Sequence, residues 1–261
     1  MFDFHMHSCV SFDGRDCARN MAQAAVDAGI REICFTDHMD YDPLHPELEL
    51  TFDIDSYNKE YNDLHIPGLA IRYGFEFGML PDNQEQFQKD LSRRDWDFVL
   101  GSAHFADGQD VYLAPYWANK TPYQGVLSSL EETLTCVKNH DAFDVLAHLT
   151  FVSKAAGNPC KQPVFYNDYR EVVDEIFKIL IYKGKGLELN TSGMDACGDY
   201  LPRMEFLRRF KELGGEIVTV GSDAHHANRV GQYCQEACSL VAEIFGYVCT
   251  YERRKPVFHT V

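Results

Sequence analysis

The sequence predicts an α/β fold built around a mostly parallel sheet. Two observations predict it. Short apolar segments alternate with amphipathic segments along all 261 residues, and no composition shift or Pro/Gly/Ser-rich linker divides the chain. Repeated strand–helix units of this kind form parallel sheets, and a barrel or an open doubly wound sheet would both fit the pattern. We therefore expect one domain over residues 1–261.

The predicted strands are short apolar runs, and the predicted helices have apolar residues at helical spacing. The strands are expected at residues 2–6, 32–36, 70–76, 98–104, 144–147, 186–190 and 216–221. The helices are expected at residues 15–28, 55–64, 84–93, 122–139, 167–182, 202–213 and 235–245. Gly29 marks the end of the first helix, and Thr121 followed by Pro122 is a strong helix start. A last extended segment is expected at residues 247–251.

Composition excludes several classes of protein. Asp and Glu number 40 against 24 Lys and Arg, which leaves a formal net charge of −16. Neither nucleic acid nor an anionic membrane surface is expected as a partner, because such binding needs an excess of Lys and Arg. The nine cysteines include no CxxC pair, and this pattern predicts free thiols in a reducing cytoplasm. Neither a signal peptide nor a transmembrane segment is predicted.

The strongest functional signal is the position of His, Asp and Glu residues at the ends of six predicted strands. The carboxyl ends of the strands in a parallel barrel meet at one face, where active sites are built. A single histidine at such a place is usually an ordinary surface or core residue, but the coincidence over six strand ends is harder to explain in that way. The set is His5, His7, Asp37, His38, Glu76, His104, His148, Asp223 and His225.

These residue types indicate a metal site. His5 and His7 are two residues apart on a strand and therefore point to the same side. Imidazole and carboxylate ligands together suit Zn, Mn or Fe. Glu76 is the natural bridging candidate, because a carboxylate can hold two cations and an imidazole cannot. The chemistry predicted is metal-assisted hydrolysis, in which the ions lower the pKa of a bound water and stabilise charge on the attacked oxygen.

Six motifs occur in order along the chain: HMHSCVSFDG, FTDH, GFEFG, GSAHF, AHL and GSDAHH. They resemble the motifs of the PHP (polymerase and histidinol phosphatase) superfamily, and the resemblance covers the chain from His5 to its C-terminus. LELNTSG, KELGGEIVTVGSDAHHANRVG and the terminal YERRKPV resemble the monofunctional histidinol-phosphatase branch in particular. The resemblance implies a distorted (β/α)7 TIM-like barrel with three divalent metal ions, Zn, Fe or Mn, at its C-terminal face.

The resemblance also implies a ligand set for each ion and four catalytic residues. The ligand sets are His5, His7, Glu76 and Asp223; Glu76, His104 and His148; and Asp13, His38 and His225. The catalytic residues are Glu76, His104, Asp223 and His225. Asp13 stands where the family places His or Asp, although by itself it is an ordinary Asp-Gly turn. Asp37 is interpreted as a residue that orients an imidazole or, equally, as a helix N-cap.

The implied reaction is hydrolysis of a small phosphorylated metabolite, with L-histidinol phosphate of histidine biosynthesis as the leading substrate. A hydroxide bridging two ions would attack phosphorus in line. The family usually carries an Arg-rich stretch after the fifth-strand histidine, whereas this chain reads HLTFVSKAAGNP. Its Lys154 is a point charge and not a bidentate guanidinium. The candidates for phosphate contact are Lys154, Arg203, Arg229 and His226.

Three other functions are weighed against this one, and the oligomeric state is left open. A PHP phosphodiesterase or exonuclease would need stacking aromatics and basic residues. Tyr112, Tyr116 and Trp117 follow the fourth strand, but core packing explains them. A non-enzymatic metal-binding module predicts a missing ligand, and every ligand position here is filled. An amidohydrolase-type barrel would need a strand-end Lys, which the chain lacks.

Overall fold

The computed structural model describes residues 1–260, so residue 261 of the expected domain lies outside the described residues. Helices and strands alternate along the chain as the sequence pattern predicts. In chain order the elements are β1 (Phe2–Asp3), α1 (Ala18–Asp27), β2 (Glu32–Met39), α2 (Ile54–Tyr61), β3 (Ala70–Gly78), α3 (Gln84–Leu91), β4 (Phe98–Ser102), β5 (Phe105–Ala106), β6 (Gln109–Asp110), α4 (Ala114–Trp117), α5 (Pro122–Asn139), β7 (Val145–Leu146), α6 (Arg170–Tyr182), β8 (Gly186–Asn190), α7 (Gly193–Cys197), α8 (Met204–Glu212), β9 (Val218–Gly221), α9 (Cys234–Phe245), β10 (Val248–Glu252) and β11 (Lys255–His259).

The main sheet contains seven strands in the order β1-β2-β3-β4-β7-β8-β9, and each neighbouring pair is parallel. Its two edges meet, because the chain after β1 bonds to β9 and the segment beyond it. Phe4 N donates to Val220 O at 2.8 Å, and His7 N donates to Ala224 O at 2.9 Å. The sheet is thus a nearly closed barrel. This confirms the distorted TIM-like (β/α)7 barrel and excludes the open sheet.

The helices cover the barrel with one apolar stripe each. In α6 the residues Val173, Ile176, Phe177 and Leu180 are buried, whereas Tyr182 at its end is exposed. This spacing places the buried residues on one side of a helix with 3.6 residues per turn. The start of α5 is stabilised as predicted, by a capping box at Thr121 and a proline in the first turn. None of the helices in residues 1–260 is long and apolar enough to cross a membrane.

Several predicted boundaries differ from the structure at the carboxyl ends of the strands. The strand predicted over 98–104 ends at Ser102, and the chain then forms the antiparallel hairpin β5–β6. Strands β2 and β3 extend further than predicted, so that His38 and Glu76 are paired residues within the ladder. The polar residues His38 and Glu76 do not end these strands, because their side chains are buried inside the barrel while their backbones continue the ladder. The segment predicted at 247–251 is one arm of the hairpin β10–β11.

This last hairpin packs at the amino-terminal end of the barrel. The backbone N–H groups of Arg253 and Arg254 both donate to Asp97, just before β4. The Arg254 guanidinium donates to the carboxylate of Asp144 and to the carbonyl of Ala142, just before β7. The hairpin therefore connects the starts of two neighbouring strands through charged hydrogen bonds.

Candidate metal centre

The opposite, carboxyl-terminal end of the barrel collects all nine predicted ligands into one cluster. Most of them are buried, and His225 and Asp13 are partly exposed. Strand β2 supplies His38 and β3 supplies Glu76, while the others follow a strand. The cluster contains His5, His7, Asp13, His38, Glu76, His104, His148, Asp223 and His225.

Glu76 lies at the centre of the cluster, and its two oxygens face different imidazoles. Its Oε1 lies 2.8 Å from Nε2 of His148 and 3.3 Å from Nε2 of His104. Its Oε2 lies 3.1 Å from Nε2 of His5 and 3.2 Å from Nδ1 of His38. A carboxylate that faces two sets of donors in this way has the arrangement that a bridging ligand needs.

Two further sets of donor atoms flank Glu76. The Nε2 atoms of His5 and His7 are 3.1 Å apart, and Asp223 Oδ1 lies 3.3 Å from the His7 nitrogen. Towards solvent, Asp13 Oδ2 lies 3.0 Å from Nε2 of His225. Cations of 2+ charge are commonly held by this mixture of neutral imidazole and anionic oxygen.

The donor atoms of His5, His7 and Asp223 form a group within the first implied set, but other donor atoms group differently from the implied sets. His7 shares a group with His38 and His225, where Asp13 was expected, and His38 shares a second group with His104. The additional member of that second group is Asp40, whose carboxylate lies 3.0 Å from His104 Nδ1. Sequence reasoning missed Asp40. The signal was available, because residues two apart on a strand share a side and Asp40 follows His38 by two.

A second missed carboxylate lies behind the cluster. Glu188 in the middle of β8 has Oε1 2.7 Å from Nδ1 of His5, and its Oε2 accepts the backbone N–H of His148 at 2.8 Å. A carboxylate on the outer nitrogen fixes the orientation of a ligating imidazole and raises its basicity. No sequence signal marks Glu188, because it alternates with leucines like any strand residue.

Asp37 forms no hydrogen bond or ion pair with an imidazole within residues 1–260, so any orienting role is indirect. It lies within β2 and therefore does not cap a helix either. Its carboxylate accepts from Ser8 N at 2.7 Å, from Ser11 Oγ at 3.0 Å and from Tyr61 Oη. Ser11 Oγ in turn lies 3.3 Å from Nδ1 of His7. Asp37 thus acts on the imidazole through a serine, since the loop after β1 folds back over the end of β2.

The electrostatics of the cluster keep its carboxylates charged. Burial by itself would raise the pKa of Glu76, but the surrounding imidazoles hold that pKa well below its usual range. Burial acts against Asp223 in the same way, and Lys154 holds the pKa of Asp223 well below normal. Burial and two neighbouring imidazoles lower the pKa of His7 far below its ordinary value, so its ring is neutral. Anionic oxygens and a neutral imidazole are the forms that bind metal.

The residues present fit divalent ions. Two buried polar atoms of the cluster, His38 Nδ1 and Asp13 Oδ1, have no hydrogen-bond partner within residues 1–260. Buried polar groups without a partner are rare in folded proteins, because desolvation of such a group is costly. A cation held by these donors would remove that cost.

The structure places one of the four candidate phosphate-binding residues beside the cluster. Lys154 Nζ forms an ion pair with Asp223 and lies 2.8 Å from Ser192 Oγ. The other three candidates each face an acidic residue on the neighbouring loops. These pairs are Arg203 with Asp199 at 3.1 Å, Arg229 with Asp195 at 2.5 Å, and His226 with Asp16 at 3.9 Å.

A parallel barrel whose C-terminal mouth holds a buried histidine–carboxylate cluster defines the class of metal-dependent barrel hydrolases. The chain belongs to the PHP domain family, whose pattern matches residues 3–192. This confirms the resemblance seen in the motifs. The match covers strands β1 to β8 and leaves out only the last part of the barrel and the closing hairpin.

Two relatives and one solved structure carry similar names. The chain is 30% identical over 247 residues to a probable histidinol-phosphatase of Clostridium acetobutylicum, which covers 92% of both chains. It is 28% identical to a histidinol-phosphatase of Lactococcus lactis, over 92% of this chain and 89% of the relative. The crystal structure of histidinol phosphate phosphatase from L. lactis, complexed with zinc, L-histidinol and phosphate, superposes with a TM-score of 0.81 at 26% identity and covers 98% of both chains.

Proposed function

We propose that this chain is a metal-dependent phosphomonoesterase that hydrolyses L-histidinol phosphate to L-histidinol and phosphate, with residues 1–261 acting as one phosphoesterase domain. One observation carries the proposal. The Glu76-centred cluster lies in a fold that matches, over nearly its full length, a phosphatase crystallised with zinc, L-histidinol and phosphate.

The proposed cofactor is a group of three divalent ions, with Zn, Fe or Mn as candidates. Bound divalent ions lower the pKa of a coordinated water and neutralise charge on the phosphate. The buried anionic carboxylates at the mouth support this proposal, as does the zinc in the related structure. The proposed ligands are His5, His7, Asp13, His38, Glu76, His104, His148, Asp223 and His225, with Asp40 as an addition.

The chain's own residues have separate roles in this proposal. Glu76, His104, Asp223 and His225 are the proposed catalytic residues, which hold the reacting groups in place. Glu188 positions His5 through the 2.7 Å contact with its outer nitrogen.

Lys154 is the proposed phosphate contact, since its ammonium group already lies at the cluster against Asp223. Arg203, Arg229 and His226 remain candidates that would first have to leave their acidic neighbours. A net charge of −16 disfavours a polyanion more than a small monoester whose phosphate is held at the cluster. We therefore propose neither nucleic acid nor membrane as a partner.

The cellular setting that we propose is histidine biosynthesis in the cytoplasm. All nine cysteines lie within residues 1–260, and each is free of a disulfide bond there. Five of the thiols are buried in the core, where they pack as small apolar side chains. Free thiols of this kind persist in a reducing compartment.

The test is phosphate release from L-histidinol phosphate by the purified zinc-loaded protein, with metal analysis of the same sample. We expect turnover that a chelator abolishes and that added zinc restores. His104→Ala should lose activity and metal, whereas His65→Ala, in an exposed loop before β3, should keep both. Activity unchanged by the chelator would contradict the proposal. Cleavage of an oligonucleotide without release of phosphate from the monoester would favour the phosphodiesterase alternative.

A further inference from the structure

The hairpin β5–β6 returns the chain to the mouth of the barrel directly after His104. Phe105 and Asp110 are paired across this hairpin, and Val111 N donates to His104 O at 3.0 Å. The residues that follow β6 are therefore held beside a ligand of the cluster. Neither the proposed metal ligands nor the proposed phosphate contacts use this hairpin.

An aromatic wall stands between the hairpin and the cluster. The ring centroid of Phe151 lies 5.2 Å from that of His104 and 4.9 Å from that of His148. Tyr112 packs on the other side of Phe151, with ring centroids 5.9 Å apart. Lys154 Nζ lies 5.1 Å from the Phe151 centroid. A phosphate held by the cluster and Lys154 would therefore have its organic group next to this wall.

Tyr112 is exposed in a way that its aromatic neighbours are not. Core packing was predicted for Tyr112, Tyr116 and Trp117. Tyr116 and Trp117 are 0% and 5% exposed and confirm it, whereas Tyr112 is 39% exposed and does not. The exposed part of the Tyr112 ring contributes no hydrophobic stabilisation to the free protein. A ligand that covers the ring removes this surface from water and gains binding free energy.

Asp110 gives this wall a negative charge. Its carboxylate accepts the backbone N–H of Tyr112 at 2.8 Å and remains partly exposed. Within residues 1–260 no Lys or Arg pairs with it, in contrast to the acidic residues that face Arg203 and Arg229. An unneutralised carboxylate held against the backbone of Tyr112 favours a cation through its charge, and the exposed Tyr112 ring can add cation–π attraction.

We propose that Asp110, Tyr112 and Phe151 form the subsite for the organic group of the substrate, and that they select an amine-bearing, cationic group. This inference rests on the proposed function and deepens it. The mouth would then be dipolar: the cluster and Lys154 bind the phosphate, and the acidic aromatic wall binds the positively charged remainder. L-Histidinol phosphate has both charges: its ammonium group is on the carbon next to the CH2–O–phosphate group, and its imidazole ring forms the end away from the phosphate.

The experiment compares two substrates and four variants. L-Histidinol phosphate carries an ammonium group, whereas phenyl phosphate has an aromatic but uncharged organic group. Asp110→Asn keeps an oxygen for the Tyr112 N–H and removes only the charge. It should lower kcat/KM for L-histidinol phosphate about tenfold, mainly through KM, as expected for the loss of one charged contact. The same substitution should change kcat/KM for phenyl phosphate by less than about twofold.

The other three variants separate charge from shape. Tyr112→Ala should lower kcat/KM for both substrates, because both lose the aromatic face. Glu131→Gln removes one negative charge from an exposed position of α5. It should leave kcat/KM for both substrates unchanged. Asp110→Glu restores the charge and should recover most of the preference. Circular dichroism and zinc content would show that each variant is folded and loaded.

Equal losses for both substrates in Asp110→Asn, or no loss, would overturn the inference. Calorimetric binding of L-histidinol to the zinc-loaded protein tests it without turnover. We expect L-histidinol to bind Asp110→Asn about tenfold more weakly than the unmodified protein. Equal binding to the two proteins would overturn the inference, as would absence of binding to the unmodified protein. Failure of the unmodified protein to hydrolyse any monoester would refute the proposed function, while the calorimetric comparison would still decide whether the subsite selects a cation.

Discussion

The two ends of the barrel both contain charged side chains, but their charges are arranged in opposite ways. At the amino-terminal end opposite charges lie in pairs: Arg254 pairs with Asp144, and Arg72 Nε lies 2.7 Å from Glu32. At the carboxyl-terminal end, imidazoles crowd around Glu76 and Asp223, and two buried polar atoms have no hydrogen-bond partner in residues 1–260. Charges of the first kind stabilise the closure of the barrel, whereas the second kind costs stability unless a ligand is bound.

The largest expected effect is at the carboxyl-terminal end. Glu76→Gln should lower kcat by roughly a thousandfold or more, above the 10–100-fold typical of residues that only orient a ligand. The reason is that one carboxylate faces imidazoles on both of its oxygens. Kinetics and metal analysis of the same preparation would check this. A Glu76→Gln variant that retained full metal content and more than a tenth of the activity would contradict the central role of Glu76.

The amino-terminal end should respond to mutation in stability and not in activity. Arg254→Ala should lower the free energy of unfolding by about 2–3 kcal/mol, because it leaves the nearly buried Asp144 without its partner. Denaturant unfolding measures this, and kcat per folded molecule should not change. The exposed pair Lys178–Glu175 is the control, and Lys178→Ala should cost about 0.5 kcal/mol or less. Equal effects of the two substitutions would show that the Arg254–Asp144 pair contributes little to the free energy of unfolding.

A pH effect should separate the two ends further. Burial by itself would lower the pKa of His38, but Glu76, Asp13 and Asp40 raise it to about 9 in the metal-free protein. His38 therefore carries a proton at pH 7, and a bound ion must displace it. Zinc affinity should rise with pH up to about 9, by as much as roughly tenfold per pH unit for one displaced proton.

Calorimetry in two buffers of different ionisation enthalpy counts the protons released on zinc binding. His38→Gln should reduce that count relative to the unmodified protein. Zinc binding without proton release between pH 6 and 8 would contradict the predicted protonation of His38.

The smallest expected effect is at the rim of the mouth. Arg229 already faces Asp195 at 2.5 Å, and both side chains are about 40% exposed. Arg229→Ala should therefore change kcat/KM less than about threefold, whereas Lys154→Ala, beside Asp223, should change it far more. Steady-state kinetics of the two variants give the comparison. A larger loss in Arg229→Ala would make that guanidinium the main phosphate contact.

The positions of the site residues were predictable because strand ends are visible in the sequence. His5, His38, Glu76 and His104 each stand at or near the carboxyl end of an apolar run, and parallel strands bring these ends to one face. The HxH spacing further predicts that His5 and His7 share a side. The same spacing rule applies to His38 and Asp40 and would have identified the missed carboxylate.

Other parts of the site were not predictable from local patterns. Glu188 lies 183 positions from His5, and only the order of strands β8, β9 and β1 around the barrel brings them together. Asp37 follows an apolar run like the ligands do, yet the fold of the loop after β1 directs it to Ser8, Ser11 and Tyr61. Long-range pairing of this kind leaves no periodic signal in the chain.

By itself, the sequence determined the class of fold and most of the residues in the histidine–carboxylate cluster. Alternating apolar and amphipathic segments require a parallel sheet, and clustered His and carboxylate residues at strand ends require a common face. The tertiary structure decided that the sheet closes, that Asp40 and Glu188 contact the imidazoles of the cluster, and that Tyr112 stays exposed while Tyr116 and Trp117 are buried. These outcomes depend on contacts between side chains that are distant in the sequence, and such contacts form only when the barrel closes.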